Sequence, residues 1–160
     1  MAPLIILVVA TVLFRAIGWL GIERLSTWRD SGRLALAVMF LFTGFTHFSS
    51  MKYDYLQMLP EPVPQSLWVI YLTGVFQIAG AIGLLIPRLR RIAGICLALL
   101  LVAMFPANVY AAINEIPFRG ELPGALWIRA LIQVVFIAVV WWTAITSPNA
   151  SSTNVRGRTL

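Results

Sequence analysis

Three polar side chains have the types needed for hydrogen-bonding or proton chemistry in a chain that is otherwise strongly apolar: His47, Asn108 and Arg129. An imidazole can carry a proton or bond a carbonyl, an amide offers both donor and acceptor, and a guanidinium presents a rigid fork of donors. Each of the three sits near the end of a different apolar block. Two further amides, Gln77 and Gln133, lie deeper inside theirs. Keeping a polar group in such surroundings carries a solvation cost, so each needs a partner or a use.

The elements that must position these groups follow from composition. Of 160 residues, 60% are hydrophobic and 11% charged, less than half the charge of an ordinary soluble domain. Five apolar blocks approach the roughly 17 to 25 residues of helix that cross a hydrocarbon core: 4–22, 34–49, 66–86, 91–112 and 125–146. The predicted fold is therefore all-α, a polytopic membrane helix bundle. One membrane domain is expected over 1–147, with a flexible cytoplasmic tail over 148–160. The second block is short, which puts its polar end at the interface.

Basic residues orient the bundle. Arg24, Arg29 and Arg33 lie between blocks one and two, Arg88, Arg90 and Arg91 between three and four, and Arg156 and Arg158 in the tail. The other two connections hold only Lys52 and Arg119, with Asp54, Glu61, Glu115 and Glu121. That asymmetry predicts an outside N-terminus, a cytoplasmic C-terminus and five spans. Block one lacks a preceding basic region and contains Arg15, so it reads as a retained helix rather than a removable signal. A net charge of +6 spread over short loops serves topology, and nucleic acid is not an expected partner. Cys96, the sole cysteine, gives no disulfide and no CxxC pair.

With this orientation His47, Asn108 and Arg129 share the outer end. Thr43 and Gly44 precede His47 at helical spacing, so that stripe should face the bundle. Three roles suit a lone histidine there: proton carrier, donor to a ligand carbonyl, or polar cap. A metal centre is disfavoured, since no second histidine or matching carboxylate exists. Pro106 frees the Val102 carbonyl and bends block four beside Asn108, which either satisfies backbone or lines a cavity. Arg129 can snorkel to the headgroups, yet Gln133 one turn deeper on the same face points that face inward, with Gln77 as its natural partner. These five residues describe an outward pocket, with Phe48, Phe105, Tyr110 and Trp127 as candidate apolar walls. The segment 49–65 reads as an amphipathic turn, with Tyr53, Tyr55 and Trp68 in an aromatic belt, followed by an extended proline run; a lid over the pocket is the alternative. Blocks three and four, joined by a four-residue turn, should pack through Gly74, Gly80, Gly83, Ala93, Gly94 and Ala98. No phosphate loop, carboxylate pair or catalytic triad is present.

Four stretches, GFTHF at 44–48, GVFQIAGAIGLLIP at 74–87, FPANVYAA at 105–112 and WIRALIQ at 127–133, resemble the DoxX-like family of small bacterial membrane proteins. The resemblance implies a four-helix bundle from blocks two to five, with block one added. It also implies a link to thiosulfate:quinone oxidoreductase, to oxidative-stress complexes or, in distant relatives, to receptor chaperones. The family commonly has glutamate at position 77. Gln77 removes the carboxylate that would pair with Arg129 or relay protons. Two functions remain in view. One is a redox-linked protein binding a quinone or similar amphipathic molecule, without a covalent cofactor, through His47, Gln77, Asn108, Arg129 and Gln133. The other is a non-enzymatic scaffold or assembly factor for a partner membrane protein. Both fit a chain whose partners are the lipid bilayer, a membrane or redox protein, or a further copy of itself.

Overall fold

The computed structural model describes residues 2–146, the side chain of Arg24 excepted; the tail at 148–160, including Arg156 and Arg158, lies outside the described residues. Six α-helices succeed one another: α1 (Ala2–Trp19), α2 (Trp28–Thr46), α3 (Lys52–Gln57), α4 (Leu67–Leu85), α5 (Arg90–Ile113) and α6 (Leu126–Val140), the last running into a π-turn at Trp141–Ile145. A 3-10 turn, Glu23–Leu25, precedes α2. Among the described residues the extended pairing is a single bridge between Phe118 and Glu121. The fold is an all-α bundle.

Four helices are long and apolar enough to cross a membrane: α1, α4, α5, and α6 with its π-turn. The remaining long helix, α2, differs from expectation in where it starts. It begins at Trp28 rather than at 34, because the Thr27 hydroxyl accepts a hydrogen bond from the Asp30 backbone N–H at 3.1 Å and Arg33 pairs with Asp30 one turn later. An N-cap followed by an acidic residue in the first turn stabilises a helix start. Counting apolar residues misses that charged first turn.

Around the bundle α1 packs on α2, α2 on α4, α4 on α5, and α5 on α6, while the π-turn returns to α2. The core lies between α2, α4, α5 and α6, with Leu36, Met39, Phe40, Ala81, Leu84, Leu97 and Val140 fully enclosed. Leu7 of α1 joins it from the side. In lipid there is no hydrophobic drive between helices, so close backbone approach and side-chain hydrogen bonds do the holding.

Glycines mark those approaches. A Cβ on Gly83 would lie 2.7 Å from Ala93 Cβ, and one on Gly80 would collide with Leu97, as expected for the α4–α5 hairpin. Two expected members of that contact serve elsewhere. Gly74 faces α2, where its Cβ would meet His47 Cβ and Phe48 Cε2 at 2.8 Å and the Gly44 carbonyl at 3.0 Å; Gly94 faces Ala144 of the π-turn. The physical reason is helix phase. A helix flanked on two sides needs small residues on two faces.

Candidate functional site

The bundle end where α2 stops holds a cavity of about 520 Å³, and His47, Gln77, Asn108, Arg129 and Gln133 all line it. The five expected site residues, drawn from four helices, are thus brought together. Thr43, Phe40 and Met39 extend the α2 wall below His47, Leu101 and Met104 form the α5 wall, and Ile132 and Phe136 continue the α6 wall below Arg129. Pro3 and Leu4, in the first turn of α1, close the remaining side.

The polar contacts converge on α5. Arg129 Nη1 donates to Asn108 Oδ1 at 3.1 Å, and its Nε donates to the Gly124 carbonyl at 3.3 Å. Asn108 Nδ2 in turn donates to the Met104 carbonyl at 3.4 Å. Gln133 donates to the Leu101 carbonyl, and Gln77 Nε2 to the Met104 sulfur at 3.4 Å. Among the described residues no hydrogen bond joins Gln77 to Gln133; each amide reaches α5 separately, because that helix lies between their two helices. The receiving carbonyls, Leu101 and Met104, flank the Val102 position that Pro106 affects. Proline-bent helices accept such side-chain partners.

Two buried polar atoms of cavity-lining residues have no hydrogen-bond partner: Nδ1 of His47 and Oε1 of Gln77. Both residues are nearly enclosed, at 3% and 4% exposure. A thioether sulfur can only accept, so Met104 takes the amide N–H₂ of Gln77 and leaves the oxygen without a partner. Leaving a buried polar group unsatisfied costs about 1 to 3 kcal/mol. Both atoms belong to residues that line the cavity.

The roof comes from the loops. Tyr55 of α3 stacks flat on His47, with ring centroids 4.4 Å apart and planes 8° from parallel, and its hydroxyl is 2.9 Å from Thr46 Oγ1. Burial raises the Tyr55 pKa above its ordinary value. Phe118 leans on Tyr55 at 5.1 Å. It belongs to a two-residue hairpin in which Arg119 and Gly120 both take positive φ, 55° and 79°, and Phe118 and Glu121 exchange two backbone hydrogen bonds of 2.9 and 3.1 Å. The Arg119 N–H donates to Asp54 Oδ2 at 3.3 Å, tying the hairpin to α3. Tyr55, Met58, Phe118, Glu121 and Leu122 thereby cover the cavity.

Some expected wall and belt residues lie elsewhere. Phe48, Phe105, Tyr110 and Trp127 do not line the cavity: Phe48 stacks on Tyr71 at 5.6 Å, and Trp127 is largely exposed. Phe40, Phe118 and Phe136 line the cavity instead, the first and last from α2 and α6 and Phe118 from the hairpin. Tyr55 is not an aromatic-belt residue, in contrast to the exposed Tyr53 and Trp68. It belongs to the cavity. The turn at Arg119 and Gly120 brings Phe118 against Tyr55, and an Arg-Gly pair is not among the dipeptides that announce such a turn in sequence.

Fold and cavity together define a membrane protein built as an all-α bundle, with a roofed, polar-rimmed cavity at one end. The chain belongs to the family described as Domain of unknown function (DUF8561), whose profile matches residues 36–144. That span starts within α2 and ends in the π-turn, so α1 lies outside it. No curated protein and no solved structure matches the chain.

Proposed function

We propose that the cavity binds the polar head of an amphipathic small molecule of the quinone type, and that the chain serves a redox-linked process in the membrane, as its likeness to the DoxX-like proteins suggests. The observation that carries this reading is the pair of unpartnered buried atoms, His47 Nδ1 and Gln77 Oε1, on two residues that line one cavity together with Arg129. A cavity with apolar walls and a few convergent polar groups is the usual form of a small-molecule site. Arg129 has donors to spare for a carbonyl oxygen, whereas Gln77 Oε1 needs a donor. A hydroquinone supplies that donor and a quinone does not. Arg129, Asn108 and His47 hold the head at the rim, Gln77 meets it from below, and Gln133 fixes the α6 wall on α5.

The same reading sets the protein in a bacterial cytoplasmic membrane with the cavity on the outer side. The basic character of the opposite end, at Arg29, Arg33, Arg88, Arg90 and Arg91, supports that orientation.

Titration of the reconstituted protein with a short-chain ubiquinone analogue and its hydroquinone, monitored by tryptophan fluorescence, tests the proposal. Saturable binding is expected. Arg129→Ala and His47→Ala should each weaken it by roughly tenfold, the scale of one hydrogen bond to a charged or buried group. If neither form binds saturably the reading fails, and the scaffold function takes precedence.

A further inference from the structure

We infer that the opposite end of the bundle carries a second site, for the phosphodiester headgroup of an anionic phospholipid, formed by Arg29, Arg33 and Arg90. Arg29 and Arg33 lie one turn apart on α2, and Gly32 between them lets the π-turn approach closely: a Cβ there would touch Thr143 Cγ2 at 3.3 Å and Trp142 Cζ3 at 3.7 Å. Arg90 lies one turn before Gly94, which faces Ala144 of the same π-turn. Residues i and i+4 share a helix face. The three arginines therefore lie around one shallow crevice, the junction of α2, α5 and the π-turn.

Charge in that crevice is unbalanced. Among the described residues Asp30 is the carboxylate that pairs with Arg33, whose side chain is only 12% exposed. Arg90 feels the fields of both Arg33 and Asp30, and its Nε is buried without a hydrogen-bond partner. Arg29 lies over the Trp142 ring at 5.9 Å. Three guanidinium groups against one carboxylate leave an excess of two positive charges in a partly enclosed space. Their planar forks match the oxygens of a phosphate diester better than any neutral headgroup. The crevice opens beside the exposed rings of Trp141 and Trp142, at the end of membrane-length helices, where glycerol and the first acyl carbons of a lipid would rest. A lipid headgroup therefore suits it better than free phosphate. Arg88 and Arg91, nearby in sequence, are exposed and provide an internal comparison.

Native mass spectrometry of the full chain, released from detergent micelles containing equal phosphatidylglycerol and phosphatidylcholine, reads the site directly. The wild type should retain phosphatidylglycerol in preference. The double variant R29Q/R90Q should lose that preference by about tenfold, and R88Q/R91Q, with the same change in charge, should keep it. Inorganic phosphate at millimolar concentration should not displace the lipid. Equal retention of the two lipids by the wild type would overturn the inference even if R29Q/R90Q fails to fold. So would equal losses in the two double variants, which would mean diffuse attraction, or displacement by free phosphate.

Discussion

Gly74 shows how single atoms set the cavity. The space that a methyl group would fill there is already occupied by His47 and Phe48, so α2 and α4 touch where the histidine must be held. Gly74→Ala should destabilise the protein by about 1 to 3 kcal/mol through overpacking, read as a lower thermal midpoint in detergent. Gly124→Ala, with nothing near its Cβ position, should leave the midpoint unchanged. Tyr55 allows a pH test. Burial raises its pKa above the ordinary value of 10.0, so above pH 10 the unfolded chain has lost a proton that the folded chain still holds. Its contribution to stability is complete below pH 10 and is lost as pH rises through the folded-state pKa. Tyr55→Phe should remove that part of the alkaline loss while costing about 1 kcal/mol at neutral pH for the Thr46 hydrogen bond. An alkaline profile identical to wild type would show that the phenol is not buried. The polar residues of the cavity were legible in the sequence because solvation makes them conspicuous in apolar blocks. Its aromatic roof was not, since Tyr55 and Phe118 come together through loop geometry that no helical spacing encodes.

At the level of elements, the four long apolar helices α1, α4, α5 and α6 with its π-turn were legible to within a few residues, since apolar length alone decides them. The start of α2 was not. It depends on Thr27 and Asp30 rather than on hydropathy, and Thr27→Ala should therefore cost about 1 kcal/mol and fray the first turn, visible as faster amide hydrogen exchange over residues 28–31. The hairpin between α5 and α6 is set by positive φ at Arg119 and Gly120. Gly120→Ala strains the second of these positions by roughly 1 kcal/mol. It should loosen the roof, with faster proteolysis across 118–124 and no change in the helices.

At the scale of the whole molecule, the two ends differ in charge and in openness. One has a roofed cavity whose lining carries a single carboxylate, Glu121; the other carries the arginine crevice. Under the proposed orientation a cysteine introduced at Glu61, in a Cys96→Ser background, should react with a membrane-impermeant maleimide in intact cells, and one introduced at Arg88 should not. The reverse pattern would invert the topology and put the cavity on the cytoplasmic side. Among the described residues, the side-chain hydrogen bonds that cross from α4 and α6 to another helix all end on α5: Gln77 on Met104, Gln133 on Leu101, Arg129 on Asn108. The site thus behaves like a lock whose pins all rest on one cylinder. One added residue in α5 turns the remainder of that helix by about 100°. Inserted before Leu101, it would release all three tethers at once while leaving the apolar span almost unchanged in length.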